Sequence, residues 1–374
     1  VATEPWRAGY ELDGTAGELT TGAIPDDGDV DWDSVFRHWN LDPACWEVVD
    51  GTLRVNAWEG PLAGGDTKIF RQYKASIRRR VGTVDVDPVV ERIARRRPKK
   101  PAATDGGATF VSAWADWQVG GLPADEWETM FHASLDRVVA RAKQAAKAGA
   151  DRAVVGFLGD MVEGLWNYPS QHYTITMDLR SQKRLVRSAE AAVLAAVAPL
   201  FPSGVTVVAV PGNHGRNGPK VVTGPHDNAD MECFEQVAET FTATGFADEY
   251  GLTFVHNPDG LIVMTESSGT RLLWCHGDQI KGSADNIKKW FAQVLLTNWQ
   301  HADANILLTG HRHHLRVEEL AGGAESRWLF QAPCLAGGSE WFADQGGGTS
   351  NPGTLTFTTA EGRWWGLDVA GCIP

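Results

Sequence analysis

Cysteine is scarce in this 374-residue chain. There are five, Cys45, Cys233, Cys275, Cys334 and Cys372, odd in number, scattered and never spaced as C-x-x-C. That pattern argues against a disulfide framework and a thiolate zinc site, and it fits a reducing cytoplasm. Long hydrophobic runs are missing as well: no window approaches the roughly 18 apolar residues that a spanning helix needs, so no membrane contact is expected. The opening VATEPWRAGYELDG has neither a basic start nor an apolar core, so no secretory leader is expected. Internal repeats and long low-complexity segments are absent too.

Positive charge is in deficit, with a formal net charge of −13, but the deficit is uneven. Residues 1–66 hold 14 acids against 3 bases, residues 67–100 hold 3 acids against 12 bases, and residues 101–374 hold 30 acids against 19 bases. One basic stretch thus separates two acidic bodies. Exposed charges are screened beyond roughly 8 Å at physiological salt, so a polyanion would feel that stretch more than the total.

Residues 1–66 read as a small tryptophan-rich module. VDWDSVFRHWNL predicts a short helix starting near Asp31 or Asp33. WEVVDGTLRVNAW predicts a hairpin turning at Asp50-Gly51. Trp6, Trp32, Trp39, Trp46 and Trp58 are expected to pack as its core. Residues 67–105 read as a basic connector in which TKIFRQYKASIRRRVG and DPVVERIARRRPKKPAATDGG both begin as helices. Its charge serves either as a solvated face or as a nucleic-acid contact over residues 68–100. From residue 106 to 374 the pattern alternates. ATFVSAWA, AVVGFL and VTVVAV are strands, each followed by an amphipathic helix. Later come the strands GLIVMTE, TRLLWC, NILLT and SRWLFQA, the helix SADNIKKWFAQVLLTNW and a C-terminal hairpin, GTLTFTTAEGRWWGLDV. This alternation predicts an α/β layered fold. AGGSEWFADQGGG is expected to be a mobile loop.

Polar residues appear where these strands stop: Asp116 in ADWQ, Asp160 in GDMVEG, Asn213 and His214 in PGNHGR, His276 in WCHGD, and His311 and His313 in TGHRHH. Strand ends in α/β sheets are where loops converge on a site. Hard oxygen and borderline nitrogen donors, without a cysteine, suit divalent cations. Two such cations about 3.5–4 Å apart can clamp a phosphate and activate its attacker.

The ordered blocks GD, GNH, HG and GHRH resemble the calcineurin-like metallophosphoesterase superfamily over residues 108 to about 335. The resemblance is nearest to metallophosphoesterases of bacteriophages and their hosts and to SbcD-type nucleases. It implies an α/β/β/α sandwich, with residues 106–374 as its catalytic domain. Asp116 and His313 would hold one metal, Asn213, His276 and His311 the other, and Asp160 would bridge them. His214 would protonate the leaving oxygen, and a metal-activated hydroxide would attack.

The family's first block ends in histidine, whereas this chain has Gln118. Either the glutamine oxygen coordinates, weakening the first metal and favouring Mn²⁺ or Mg²⁺ over Zn²⁺, or Gln118 only hydrogen-bonds a water at the metal. The acidic residue that many members carry after GNH is replaced by Gly215-Arg216, so the partner of His214 must come from elsewhere. Arg216 either contacts a substrate phosphate or is a surface residue; Glu163 either supports the site or is merely polar. His38, His132, His172, His256 and His301 read as structural or surface residues. His226 lies in a loop after the catalytic block and either approaches substrate or is a loop residue only, and His314 should point away from His313 if that segment is extended.

Three functions remain open. One is a two-metal, Mn²⁺-dependent phosphodiesterase or nuclease acting on nucleic acid. The second is a small-molecule phosphatase or cyclic-nucleotide phosphodiesterase. The third is a non-catalytic binding module that retains the fold.

Overall fold

The computed structural model describes residues 7–13, 16–25, 30–43, 46–49, 51–61, 67–79, 107–165, 167, 171–218, 223–225, 227–282, 285–323, 326–335 and 351–371. The chain divides into two compact units, Val1–Thr83 and Val84–Pro374.

The first unit contains β1 (Gly9–Asp13), β2 (Ala16–Thr20), β3 (Ile24–Pro25), α1 (Trp32–His38), β4 (Trp46–Val48), β5 (Arg54–Pro61) and β6 (Thr67–Arg79). β6 is the centre of an antiparallel sheet. β2 and β3 lie along one of its edges, β4 and β5 along the other, and β1 flanks β2. Asp31 caps α1, accepting from the N–H groups of Asp33 and Ser34. Trp46 joins Leu19, Phe36, Leu41 and Ile77 in a core against which Trp32 and Trp39 pack. Trp58 stacks on Phe70, while Trp6 lies outside the described residues.

Two local expectations are corrected here. The segment 67–79, expected to begin as a helix and to open the connector, is the central strand β6. Tyr73, Ala75 and Ile77 are buried at every second position, which is the period of a strand. The hairpin expected at Asp50-Gly51 does not form, because β4 and β5 both pair with β6. The thirteen residues of β6 give an edge long enough for both. Val49 N–H donates to Ser76 O, Ser76 N–H donates to the Thr52 hydroxyl, and β4 and β5 both run antiparallel to β6, in the same direction as each other. The second helix expected in the connector lies outside the described residues, as does the glycine-rich loop AGGSEWFADQGGG.

The second unit begins with β7 (Ala108–Trp114), α2 (Ala124–Lys147), β8 (Ala150–Phe157), α3 (Leu179–Val197), β9 (Val205–Ala209), α4 (Ala229–Ala243), α5 (Phe246–Tyr250) and β10 (Leu252–Val255). It continues with β11 (Ile262–Ser267), β12 (Thr270–Cys275), α6 (Asp285–Thr297), β13 (Ile306–Thr309), β14 (Arg316–Ala321), β15 (Arg327–Gln331), β16 (Thr354–Ala360) and β17 (Arg363–Ala370). Two sheets form, in the orders β10-β9-β8-β7-β16-β17 and β11-β12-β13-β15-β14. β7 to β10 are parallel, as are β12, β13 and β15.

Three apolar clusters show the layering. Phe110 and Trp114 of β7 pack with Val155 of β8 and with residues of α2, α3 and α4. Val111 and Ala113, on the opposite face of β7, meet Trp274, Ile306, Leu308 and Phe330 of the second sheet. Leu273 and Leu307 point the other way, onto Ile287 and Phe291 of α6. Alternate side chains of each central strand thus enter different layers, giving the α/β/β/α sandwich. Strands buried on both faces explain the continuous apolar runs of the sequence.

Candidate metal centre

The site is assembled from turns immediately after β7, β8, β9, β12 and β13, and their backbones are unusual. Asp116, Gln118, Asp160, His311 and His313 have φ of 51°, 43°, 54°, 69° and 56°, so five of the eight non-glycine residues with positive φ among the described residues belong to the site. Left-handed backbone is costly for such residues and persists where surrounding bonds impose it. Here Asp116 N–H donates to Gly159 O, Gln118 N–H to Asp160 O, and Gly310 N–H to His276 O. Glycine is needed at the closest approach: a Cβ on Gly159, at φ 82°, would lie 2.5 Å from Gly212 N, and one on Gly212 would lie 2.0 Å from Asp160 N.

These turns bring the sequence-predicted residues together. Asp160, His276 and His311 offer ligand atoms all within 4.8 Å of one another, a group able to hold a metal ion. Asp160 Oδ2 lies 2.9 Å and Asn213 Oδ1 3.2 Å from His276 Nε2. His276 Nδ1 is 2.7 Å from Leu158 O, which fixes the ring with Nε2 facing the cluster. Asp116 accepts from His311 N–H at 2.9 Å and lies 3.4 Å from His313 Nε2. Asp116, Asp160 and His276 are almost wholly buried.

Burial and proximity set the charges in the metal-free site. Burial alone would raise Asp160, but the His276 and His214 imidazoles outweigh it and hold the carboxyl below its usual range. Burial would lower His276, but the Asp160 carboxylate dominates and pushes it up to about 10. His311 is pushed down to about 4 by burial and by the neighbouring charge of His276. His313 is raised, since the Asp116 carboxylate outweighs its burial.

His214 lies beside this group. Its backbone N–H donates to Asp160 Oδ1 at 2.7 Å. Its Nδ1 is 2.9 Å from Glu163 O and 3.4 Å from Glu163 Oε2. The buried Glu163 is thus the acidic residue beside the His214 ring, and Gln171 holds it by donating to both its carbonyl and its Oε1. Burial lowers the His214 imidazole, but the Asp160 and Glu163 carboxylates override this and raise it to about 9. Gln118 Nε2 lies 3.4 Å from His214 Nε2, so the glutamine side chain is directed at this imidazole. Arg216 is no free surface residue: its Nη2 donates to Asp278 Oδ2 at 2.6 Å.

Other histidines resolve simply. His256 pairs with Glu235, and His226 lies outside the described residues. His314 Nδ1 turns back to Arg312 O, because positive φ at His311 and His313 breaks the extended alternation expected there. Spacing along the chain did not single out Asp230, Asp278 or Gln171. Asp230 is two residues past Asn228, the cap of α4, and caps carry no sign of what else their helix touches.

No family model and no curated protein matches this chain. Solved structures similar to it include a single mutant of Vps29 from Entamoeba histolytica, at 12% identity and a TM-score of 0.31, covering 67% of this chain and 87% of that one. Vps29 of Chaetomium thermophilum is similar at 12% identity and a TM-score of 0.28, covering 67% and 84%. A predicted phosphoesterase of Streptococcus pneumoniae is similar at 10% identity and a TM-score of 0.26, covering 67% and 83%. These values are too low to transfer a ligand, substrate or role. The chain's own structure holds a layered α/β/β/α unit with a metal-capable carboxylate–imidazole cluster at its strand ends.

Proposed function

We propose that this chain is a divalent-metal-dependent phosphoesterase. The observation carrying the proposal is the convergence of Asp116, Asp160, Asn213, His276, His311 and His313 from five strand ends beside His214. The donors are oxygen and imidazole, a set suited to Mn²⁺, Mg²⁺ or Zn²⁺. Asp160, Asn213, His276 and His311 would hold one ion, Asp116 and His313 a second, with Asp160 shared. Such ions, when bound, supply Lewis-acid charge to a phosphoryl oxygen and lower the pKa of water.

The chain's own groups account for the rest. With Nδ1–H donating to Glu163 O, the His214 ring presents Nε2 to the site. Its raised pKa keeps it protonated at neutral pH, as a general acid toward a leaving oxygen requires. Gln118 adjoins that same nitrogen, and with its amide turned so that Oε1 faces the ring it would accept the Nε2 proton. The guanidinium of Arg216, steadied by Asp278, would attract the substrate phosphate.

Within this reading, small phosphoesters are favoured over nucleic acid. Lys74 pairs with Glu18 and Arg78 with Glu47, and neither Lys68 nor Arg71 is free. Lys74 and Arg78 are therefore engaged within their own unit. A second reading, a metal-binding module without catalysis, draws on Gln118, whose side chain lies against His214 where the family pattern has a histidine ligand.

The test compares p-nitrophenyl phosphate, bis(p-nitrophenyl) phosphate, DNA and RNA with Mn²⁺-loaded protein. Turnover of the small esters is expected, and His214→Ala should lower kcat by about 10²–10⁴-fold while keeping its metal. A loaded protein that cleaves none of the four would leave only the binding reading.

A further inference from the structure

Behind the metal centre lies a carboxylate that belongs to neither ligand set. Asp230, in the first turn of α4, is 3% exposed. Its Oδ2 accepts from the N–H of Asp160 at 2.9 Å and of Gly212 at 3.1 Å. Its Oδ1 accepts from the N–H of Met161 and of Val162, both at 3.1 Å. Consecutive N–H groups at 160–162 form a concavity that attracts an anion, and here the protein supplies the anion itself. Asn228 adds a tie, donating its Nδ2–H to Gly212 O and accepting from Asp230 N–H.

We propose that Asp230 is the positioning residue of the metal centre, one carboxylate that ties the loop bearing Asp160 to the loop bearing Asn213. Those two loops deliver Asp160 Oδ2 and Asn213 Oδ1 to the same nitrogen, His276 Nε2. The carboxylate meets Asp160 at its own N–H, where φ is 54°, and meets Gly212 next to Asn213. Two donors on each oxygen fix both the separation and the tilt of the loops. A group that orients ligands in this way governs metal affinity without touching the metal. The proposal rests on the reading that the cluster binds a divalent cation.

The test is isothermal titration of the full chain with Mn²⁺. Asp230→Asn leaves oxygen for one pair of N–H groups and turns an NH₂ donor onto the other, splaying the loops. The dissociation constant should rise about 10–100-fold, and kcat at saturating Mn²⁺ should fall while KM for a small phosphodiester stays near wild type. Gly215→Ala probes the same contact with charge unchanged, since its Cβ would lie 2.6 Å from Asp230 Oδ2 and 2.4 Å from Asn228 Oδ1; it should weaken Mn²⁺ in the same direction. A folded Asp230→Asn chain that binds Mn²⁺ as wild type does overturns the proposal. Failure of both variants to fold in excess Mn²⁺ would make Asp230 a folding residue only, and would overturn it too. If wild type binds Mn²⁺ but hydrolyses no ester, the hydrolase reading alone falls and the affinities still decide the role of Asp230. If wild type binds no Mn²⁺, both fall.

Discussion

Asp160 and His276 titrate as a unit, because their Oδ2 and Nε2 lie 2.9 Å apart in a site that is about 1% exposed. Without a cation, His276 keeps its proton to about pH 10. A metal takes a lone pair from the neutral ring, so binding must expel that proton. His311, lowered to about 4, has none to lose at neutral pH. Apparent metal affinity should therefore rise about tenfold per pH unit from about pH 7 to 9. Calorimetry in two buffers of different ionisation heat should show proton release; an affinity flat with pH would contradict the pair. For the metal-free chain, a histidine pKa raised by folding adds stability that is complete below the unfolded value, about 6.5. That stability is lost as pH climbs through about 10, so the melting temperature should decline across this window. Gln118→His would add an imidazole beside His214, and should shift metal preference toward Zn²⁺ over Mn²⁺ in competitive titration.

At the scale of elements, the two sheets of the sandwich interlock at one point. A Cβ on Gly156 of β8 would lie 2.1 Å from the ring of Trp274 on β12, and Trp274 is fully buried with its Nε1–H donating to Thr265 Oγ1. Gly156→Ala should cost about 1–3 kcal/mol by overpacking, and Trp274→Ala about 3–5 kcal/mol by leaving a cavity. Because the second change makes room for the first, the double variant should cost less than the sum, as urea unfolding would report. Helix α3 carries a different cost. Glu190 is buried, and neither carboxyl oxygen has a hydrogen-bond partner among the described residues. Burial first, then the charge of Asp230, raises its pKa well above the usual carboxylate value, with Arg187 opposing. Such a group stabilises the fold while protonated, and loses that contribution as pH rises through its folded pKa. Glu190→Gln should therefore melt near wild type at pH 5 and above it at pH 9.

Over the whole molecule, charge decides which polyanions approach. Residues 101–374 carry 30 acids against 19 bases, and Lys74 and Arg78 of the first unit are paired with Glu18 and Glu47. An acidic body repels a nucleic acid more strongly at low salt. With small esters as substrates, kcat/KM on a short oligonucleotide should stay poor at low salt and rise as salt is added, while turnover of a monoanionic phosphodiester changes little. A steep fall with salt on the oligonucleotide, the signature of counterion release, would return nucleic acid to first place. None of the helices among the described residues is long and apolar enough to cross a membrane.

The sequence alone determined the layered class, most strands and helices of the second unit, and the residues at their ends. Periodicity is local, and Asp116, Asp160, Asn213, His276, His311 and His313 each stand at or shortly after the end of an apolar run. The pairing of β4 and β5 was not legible, because a hairpin signal at Asp50-Gly51 competes with an edge of β6 that lies later in the chain. β14, RVEELA, is largely charged and has no apolar run, and the short β10 and helix α5 show too little periodicity to be read. Only the tertiary structure decided that Glu163 backs His214, that Asp278 holds Arg216, and that Asp230 joins two loops 52 residues apart in the chain, at Asp160 and Gly212. Those contacts are made by buried polar groups whose partners are set by how the layers stack, and nothing in their immediate neighbours along the chain records that choice.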